Sequence, residues 1–324
     1  MNSTRTTAGT LDNHKLRVVA RNVVAEGVVS LVLADPDGAD LPEWTPGAHL
    51  DLVLGEDLIR QYSLCGDVTD RSRLQVAVLR EPGSRGGSRA VHDDLAVGDL
   101  LVVKGPRNNF PLVEAPSYLF VAGGIGITPI KAMIAEVDAC GADWTLLYGG
   151  RTAAGMAFAD ELSQRYPDRV TLHPQDRYGL LDLDAAIAGA APGTAVYCCG
   201  PEPLLAAIEE KCSSRSDIEL HLERFSPKAV EDGAPAEGFE VVLEQSGQTL
   251  TVGPDETVLD VLLREGVDIE FSCREGTCGT CEVAVLHGEV DHRDSVLTAD
   301  DQAANDCMFV CVSRSCSSRL VLDL

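Results

Sequence analysis

The stretch Ser-Cys-Arg-Glu-Gly-Thr-Cys-Gly-Thr-Cys spans residues 272–281 and organises the C-terminal part of the chain. Its cysteines follow the spacing C-x4-C-x2-C and are Cys273, Cys278 and Cys281. Iron needs four thiolates, and a tight loop with this spacing can place three of them around a buried centre. Gly276 and Gly279 allow the backbone to bend close to the sulfur atoms and to point N–H groups at them. The stretch can therefore hold a metal centre through thiolates, with a fourth ligand taken from elsewhere in the chain.

The fourth ligand has two candidates, Cys307 and Cys311. Cys311 lies in the strand-like run 308–312, Met-Phe-Val-Cys-Val, which would hold a ligand rigidly. Cys307 follows Asn305-Asp306 in a stretch that is typical of a turn. We therefore favour Cys311 as the fourth ligand and keep Cys307 as the alternative.

Two other kinds of site also use clustered cysteines. A zinc site usually takes paired C-x2-C knuckles, and the cluster stretch contains one such pair. Disulfide clusters fit small secreted chains, whereas this chain has 324 residues and no signal-peptide pattern. The spacing instead resembles that of the plant-type ferredoxins, which are known by it. The resemblance implies a [2Fe–2S] cluster.

Length and composition limit the class of protein. A chain of 324 residues, 45% of them hydrophobic, is expected to form two or three domains. We expect no membrane association, because no apolar run is long enough to span a bilayer. The net charge of −25 argues against a nucleic-acid partner; the acidic surface either steers the chain onto a basic protein or only keeps it soluble. Eleven cysteines without an export signal indicate a reducing cytoplasm.

The N-terminal third of the chain predicts an antiparallel β-barrel over residues 14–112. A polar tail over residues 1–13, which we expect to be disordered, precedes short strands that alternate with turn signals. The expected strands are 16–24, 28–34, 49–54, 60–65, 74–80 and 100–104, with one helix over 87–95.

Two segments of this barrel carry groups that suit a flavin. On the fourth strand, an arginine can pair with a phosphate, a tyrosine can stack on a flat ring and a serine can bond a ring edge. A glycine-rich loop then runs into a helix N-terminus, where free N–H groups can hold a phosphate. The plain alternatives are an exposed ion-pair residue, a core aromatic residue and an ordinary turn. The residues concerned are Arg60, Gln61, Tyr62, Ser63, Gly86, Gly87 and Ser88.

From Ser117 onward, alternating strands and helices predict a parallel α/β sheet, in a domain over residues 113–226. The expected strands are 118–122, 144–148, 170–174, 195–199 and 218–223. The expected helices are 128–138, 156–166, 182–189 and 202–213.

Two turns at strand ends of this sheet suit a nicotinamide dinucleotide. The first is not the Rossmann fingerprint, because proline replaces its third glycine, but its glycines and helix N-terminus can accept a pyrophosphate. The second closes the fourth strand, and sites in open α/β sheets form at such ends. After the second strand, Arg151 stands where an acidic residue would bind a ribose. The plain alternative for each turn is an ordinary strand–helix connection. The candidate residues are Gly123, Gly124, Gly126, Thr128, Pro129, Arg151, Cys199, Gly200 and Pro201.

The C-terminal segment has the β-grasp order of the plant-type ferredoxins. Residues 227–237 read as a linker, rich in proline, glycine and charge, before a domain over residues 238–324. The predicted elements are a hairpin of 239–244 with 248–252, a helix over 257–264, and strands over 282–286 and 319–324. The cluster loop lies between the helix and the third strand.

Together these motifs resemble one known family. Arg-x-Tyr-Ser at residues 60–63 resembles the flavin motif of the ferredoxin reductase superfamily. With the glycine loop and the C-terminal ferredoxin segment, nearly the whole chain is similar to the phthalate dioxygenase reductase and vanillate O-demethylase reductase family. The resemblance implies FMN in the barrel, NADH in the α/β domain and Phe225 against the flavin, although Phe225 could be a plain core residue. The residues expected nearest the chemistry are Ser63, Thr128, Cys199 and Phe225.

The expected function is electron transfer. NADH gives up two electrons together as hydride, an iron–sulfur cluster takes one at a time, and a flavin can do both. The final acceptor is expected to be a separate protein and, by resemblance, the Rieske-type oxygenase component of an aromatic hydroxylating or demethylating system. One alternative is an electron donor to another oxidase, such as a cytochrome P450. Another is a redox-sensing module that only holds a cluster and oxidises no NADH. We expect a monomer.

Overall fold

The computed structural model describes residues 11–55, 58–83, 85–227 and 238–324. The chain divides between Glu223 and Arg224 into two compact units. The first ten residues of the predicted tail and residues 228–237 of the predicted linker lie outside the described residues. The domain limits at 112 and 226 stay a prediction. Every helix in the described ranges is too short or too polar to serve as a transmembrane segment.

The first unit begins with six antiparallel strands that curl into the predicted barrel. Its edge strands meet, because Leu64 bridges to Val76 and the Cys65 N–H donates to the Gln75 carbonyl at 2.9 Å. The strands are β1 (Leu11–Ala25), β2 (Val28–Ala34), β3 (Ala48–Gly55), β4 (Leu58–Ser63), β5 (Leu74–Leu79) and β6 (Leu100–Asn108), in the order β4-β3-β6-β1-β2-β5. Helix α1 (Gly87–Asp93) follows β5.

A five-stranded parallel sheet completes the first unit. Its strands are β7 (Ser117–Gly123), β8 (Asp143–Gly150), β9 (Val170–Pro174), β10 (Thr194–Cys199) and β11 (Glu219–Glu223), in the order β11-β10-β7-β8-β9. Its helices are α2 (Ile127–Ala139), α3 (Ala159–Arg165), α4 (Gln175–Tyr178), α5 (Leu183–Gly189) and α6 (Glu202–Cys212). Because parallel strands end at the same edge, the turns after β7 and β10 are neighbours: Cys199 pairs with Ala122.

The barrel and the parallel sheet share one hydrophobic core. Val28 and Ala77 of the barrel belong to the same cluster of buried side chains as Phe120 of the sheet. Lys131 on α2 reinforces this contact, since its Nζ donates to the Cys65 carbonyl at 3.1 Å. The first unit is therefore one compact body.

The second unit is a mixed sheet with a helix packed on it, as the β-grasp prediction requires. The five strands of its main sheet are β12 (Phe239–Leu243), β13 (Gln248–Val252), β14 (Glu282–His287), β16 (Cys307–Phe309) and β18 (Arg319–Leu322), in the order β13-β12-β18-β14-β16. A two-stranded ladder joins β15 (Val290–Asp291) and β17 (Arg314–Ser315), and the helices are α7 (Val258–Arg264) and α8 (Ala299–Ala304). The Thr257 hydroxyl caps α7 by accepting from the Asp260 N–H at 3.1 Å.

Several element limits differ from the sequence predictions. Strand β1 begins at Leu11, inside the predicted tail, because its first residues pair with β6. The predicted helix over 156–166 begins only at Ala159, since Phe158 takes a left-handed conformation (φ 58°) that a helix cannot continue. Helix α8 was not predicted, although Thr298 and Asp301 form a capping box at its start.

Candidate functional site

Four cysteine thiols meet in the second unit, and they are the four predicted ligands. Cys278 and Cys311 both donate hydrogen bonds to the sulfur of Cys273, and Cys311 also bonds Cys281. All four residues are buried, with between 1% and 7% of their surfaces exposed. The structure therefore brings the loop cysteines and Cys311 into one connected group.

Contacts between the thiols lower the pKa of one cysteine of this group and raise the pKa values of two others. The hydrogen bond from Cys278, followed by that from Cys311, lowers the pKa of Cys273 below its ordinary value. The same contacts raise the pKa values of the two donors, Cys278 and Cys311. The four thiols therefore lie close enough to interact directly, as the sulfur ligands of one metal centre must.

The surroundings of the thiols fit a [2Fe–2S] cluster. Backbone N–H groups point at sulfur, from Glu275 to Cys273 at 3.3 Å and from Thr280 to Cys278 at 3.4 Å. The buried hydroxyl of Ser272 finds no partner among the described residues, and the sulfur atoms of a bound cluster would offer an acceptor.

The local argument for choosing Cys311 was wrong. Cys311 lies in a turn after β16, whereas Cys307 is the first residue of that strand. The turn forms because the N–H groups of Val312 and Ser313 both donate to the Phe309 carbonyl, at 3.2 and 3.0 Å. Burial, followed by nearby carboxylates, raises the pKa of Cys307 to about 11. The ligand assignment itself stays a prediction, now supported by the thiol contacts.

The two predicted flavin segments are in contact. Gly87 has no room for a side chain, because a Cβ there would lie 2.4 Å from Cγ of Arg60. Arg60 donates from Nη1 to the Ile59 carbonyl at 2.7 Å and from Nη2 to the Arg85 carbonyl at 3.3 Å. Burial raises the pKa of Tyr62 to about 12, against a smaller lowering by the charge of Arg60. An arginine, an aromatic ring and a side-chain-free loop thus lie together, as an FMN site needs.

Gln61 and Ser88 support this surface from behind. Successive strand residues face opposite sides, so Gln61 turns away from Arg60 and Tyr62 and donates to Oδ1 of Asp51 at 3.0 Å. The Ser88 hydroxyl accepts from the Glu81 N–H at 3.1 Å and closes the loop. Direct contact of either residue with a flavin stays a prediction.

The end of β4 lies beside the start of α2. Ser63 is the last residue of β4 and is buried, and the carbonyl of Cys65 just after it accepts from Lys131. Thr128, one turn earlier on α2, is buried and donates its hydroxyl to the Ile125 carbonyl at 2.9 Å. The strand expected to hold the flavin and the helix expected to hold the dinucleotide are therefore neighbours.

The two dinucleotide turns are packed backbone to backbone. A Cβ on Gly126 would lie 2.1 Å from the Cys199 carbonyl oxygen, and one on Gly200 would lie 3.0 Å from Cα of Gly123. No side chain caps the first N–H groups of α2, where Pro129 occupies the first turn. These closely packed glycine turns at the start of α2 form a cradle that fits a pyrophosphate. Pro201 precedes α6 on the other side of the contact.

Glu223 is a site residue that the sequence analysis missed. It pairs in register with Cys199, whose thiol donates to Glu223 Oε2 at 3.8 Å. Burial raises the pKa of the Glu223 carboxyl to about 8, and the hydrogen bond from Cys199 lowers it by less. The sequence offered one sign of this role, the position of Glu223 at the end of its strand. The last residues of two adjacent parallel strands meet at the same edge of a sheet.

Arg151 and Phe225 are, together with Pro201, the candidates with exposed positions. Arg151 follows β8, and its carbonyl accepts from the Asp176 N–H at 3.1 Å. Gly124 lies nearer the centre of the sheet, where its carbonyl accepts from the Tyr148 hydroxyl at 3.1 Å. Phe225 follows β11, belongs to the second unit and exposes 42% of its surface. The roles of Arg151 and Phe225 stay predictions.

A barrel with a flavin-type surface, a parallel sheet with a dinucleotide cradle and a four-thiol loop define an electron-transfer oxidoreductase. Two family models match the chain: the oxidoreductase NAD-binding domain over residues 120–210 and the 2Fe-2S iron-sulfur cluster binding domain over residues 241–320. The class predicted from the motifs is therefore confirmed.

Relatives match over the full length of the chain. The phenoxybenzoate dioxygenase subunit beta of Ectopseudomonas oleovorans is 43% identical, covering 98% of this chain and 99% of its own. The phthalate 4,5-dioxygenase oxygenase reductase subunit of Pseudomonas putida is 39% identical, covering 95% and 96%. The structure of phthalate dioxygenase reductase matches with a TM-score of 0.70 at 35% identity, over 96% of this chain and 98% of that one. The chain belongs to the family of phthalate dioxygenase reductase.

An intact type IV self-sufficient cytochrome P450 monooxygenase also matches. Its TM-score is 0.89 at 46% identity, over 96% of this chain and 41% of that one. This chain thus spans about two-fifths of the length of that protein. The likeness concerns one part of a longer protein.

Replacing the fourth thiol tests the cluster. In Cys311→Ser we expect loss of most of the visible iron–sulfur absorbance and of bound iron, because a hydroxyl is a poor iron ligand. Cys307→Ser is the matched control and should keep both. NADH should still reduce the flavin in Cys311→Ser, since hydride transfer precedes the cluster. A cluster that survives in Cys311→Ser and is lost in Cys307→Ser would reverse the ligand assignment.

The pKa of Glu223 predicts how stability depends on pH. Between the ordinary value of 4.5 and about 8, the folded protein keeps a proton on Glu223 that the unfolded chain has lost. The contribution of this group to stability therefore falls as the pH rises through that range. We expect the melting temperature of the wild type minus that of Glu223→Gln to fall with pH and to level off above about 8. A difference that stays constant or rises contradicts the raised pKa.

Proposed function

We propose that this chain is the reductase component of a multicomponent Rieske-type oxygenase or demethylase, passing electrons from NADH through FMN and a [2Fe–2S] cluster to the oxygenase. The cofactors supply hydride acceptance and single-electron transfer, while the protein supplies binding, position and potential. The carrying observation is that one chain holds both the glycine cradle at Gly126 and Cys199 and the four-thiol group at Cys273. A module that only senses redox state would need no dinucleotide cradle.

The side chains of the first unit have separable tasks in this function. Arg60 offers a guanidinium for the flavin phosphate, and Tyr62 offers a ring beside it. Gly126 and Gly200 keep the two turns close, so that backbone N–H groups can reach the pyrophosphate. Thr128 and Cys199 then line the place proposed for the nicotinamide, and their burial keeps water away from it.

A cytochrome P450 is the second candidate acceptor, and the likeness to a self-sufficient P450 monooxygenase favours it. To separate the two, the purified chain is mixed with NADH and either a Rieske-type oxygenase or a P450, and product is measured. We expect turnover with the Rieske-type oxygenase. Turnover with the P450 alone would replace the proposed partner, and failure to oxidise NADH at all would remove the function.

We also propose a cytoplasmic monomer. All eleven cysteines are free, which supports a reducing compartment. Light scattering of the holoprotein tests the oligomeric state, and a mass of two chains would contradict it.

The flavin is expected to be FMN. Arg60 and the loop at Gly87 offer places for a terminal phosphate, and the family resemblance indicates FMN. Flavin released by denaturation should run with FMN on chromatography, and FAD would overturn the assignment. Arg60→Ala should lower flavin retention, because a charge-assisted contact to phosphate is lost.

NADH is expected to be preferred to NADPH. The extra phosphate of NADPH usually needs one or two basic groups beside the end of the second strand. A single arginine, Arg151, follows that strand here, and its carbonyl accepts a hydrogen bond from the Asp176 N–H. Comparing kcat/KM for the two nucleotides tests this. Equal values, or a preference for NADPH that disappears in Arg151→Ala, would show that Arg151 binds the phosphate.

A further inference from the structure

Lys131 is a nearly buried cation that belongs to neither proposed binding site. Its side chain exposes 15% of its surface. The ammonium has three partners: the Cys65 carbonyl at 3.1 Å, the Glu161 carboxylate at 3.2 Å and the Phe158 ring, whose centroid lies 5.0 Å away. A buried charge is stable only when it is paired and hydrogen-bonded, and Lys131 meets that condition through three separate segments.

The partners of Lys131 belong to parts of the first unit that are far apart in the sequence. Cys65 follows the predicted flavin strand β4, and its own N–H helps to close the barrel by donating to the Gln75 carbonyl at 2.9 Å. Glu161 lies in the first turn of α3, and Phe158 immediately precedes that helix. Lys131 itself lies on α2, the helix that begins at the dinucleotide cradle. One ammonium therefore joins the barrel to two helices of the α/β part.

Phe158 is held in a conformation that needs support from its surroundings. Its φ of 58° lies in the left-handed region, which is uncommon for a bulky residue. The ring is buried under the ammonium, and the carbonyl of the preceding residue, Ala157, accepts from the Tyr148 hydroxyl at 3.0 Å. The same hydroxyl lies 3.1 Å from the Gly124 carbonyl. The contacts of Lys131 thus continue through Phe158 and Tyr148 to the loop that is proposed to bind the pyrophosphate.

Both ends of this network lie beside residues expected near the chemistry. Ser63, two residues before Cys65, ends the strand expected to hold the flavin. Thr128, expected near the nicotinamide, is three residues before Lys131 and therefore occupies a neighbouring position on the same face of α2. A shift of Lys131 relative to Cys65 would therefore change the spacing between the two proposed sites.

We infer that Lys131 is a positioning residue, which sets the distance between the nicotinamide and the flavin for hydride transfer. This inference rests on the proposed function, in which a hydride leaves C4 of NADH with both electrons and reaches N5 of the flavin, giving NAD⁺ and reduced flavin. The protein has to hold the two atoms close and aligned, and a misplacement of about 1 Å can lower such a rate about 100-fold. Lys131 acts through the barrel strand and α2, without touching either ring.

A second cation with the same kinds of partner provides a matched control. Arg169 donates from Nη1 to the Trp144 carbonyl and to Asp143 Oδ1, both at 3.1 Å, and its guanidinium lies over the Trp144 ring, 5.5 Å from the centroid. All three residues lie at the starts of β8 and β9, at the end of the sheet opposite the cradle. Arg169→Met should therefore remove similar contacts without changing the junction between the barrel and the sheet.

Transient kinetics of the holoprotein test the inference. Flavin reduction is followed by stopped flow at increasing NADH concentrations, which gives the limiting rate and the Kd for NADH separately. In Lys131→Met we expect the limiting rate to fall at least about tenfold, while the Kd for NADH and the flavin content stay as in the wild type. Lys131→Arg, which keeps a charged donor, should restore most of the rate, and Arg169→Met should leave it unchanged.

Glu161→Ala is a second, milder variant. The Glu161 side chain is half exposed, and its loss leaves the ammonium bound to Cys65 and Phe158. We expect a severalfold fall in the limiting rate at the same Kd for NADH. This variant decides the question if Lys131→Met folds too poorly to hold flavin.

Hydrogen exchange provides a readout that does not depend on turnover. In Lys131→Met the amides of Cys65 and Leu162 should exchange faster than in the wild type, since the Leu162 N–H donates to the Phe158 carbonyl at 3.0 Å. In Arg169→Met these two amides should keep their protection. Mass spectrometry of the peptides that contain them measures both.

Four results would overturn the inference while leaving the proposed function intact. The first is a wild-type limiting rate in both Lys131→Met and Glu161→Ala, and the second is a fall in rate that Arg169→Met shares. The third is a loss that appears only in the Kd for NADH or in the flavin content. The fourth is unchanged exchange at Cys65 and Leu162 in Lys131→Met. A wild-type protein whose flavin is not reduced by NADH would instead contradict the proposed function.

Discussion

The first unit depends on the contact between Gly126 and the carbonyl of Cys199. Two strand-to-helix turns touch there through backbone atoms, and no side chain larger than hydrogen fits at Gly126. This contact fixes where α2 and α6 begin and therefore where their N–H groups point. The parallel register of β10 with β11 places Glu223 opposite Cys199, whose thiol reaches the carboxylate. The dinucleotide cradle thus forms because glycine lets the turns after β7 and β10 approach each other closely.

The second unit uses the same principle at the cluster loop. Gly276 has a positive φ of 67°, and a Cβ there would lie 2.5 Å from the Val312 side chain and 3.0 Å from Cα of Asp294. The Ser295 N–H donates to the Gly276 carbonyl at 2.8 Å, which ties the loop to the segment behind it. Glycine therefore brings backbone to the place where a cofactor is expected in both units of this chain.

The sequence predicted the architecture well but the fine geometry poorly. Strand alternation and glycine turns predicted the two sheets of the first unit, and the C-x4-C-x2-C spacing predicted the grouping of thiols around Cys273. The apolar run around Cys311 misled, because Val310 and Cys311 are buried in a turn, and a short apolar run does not by itself distinguish a buried turn from a strand. Glu223 was missed because its role depends on register with Cys199, which only the paired strands reveal. Local sequence patterns predict individual helices and strands, whereas contacts between the ends of strands can be predicted only once the fold is known.

The shared core of the barrel and the parallel sheet limits how this chain can be recombined. Each hydrophobic cluster lies wholly within one of the two units, but Val28 and Ala77 of the barrel pack in the same cluster as Phe120 of the sheet. A gene fusion or exchange that joins fragments after Glu223 would therefore leave every core complete. A crossover near residue 112 would join a barrel from one protein to a parallel sheet from another, and the side chains of their shared core would then have to fit each other. The flavin and nucleotide halves are thus expected to be inherited as a block, with the ferredoxin segment as the exchangeable part.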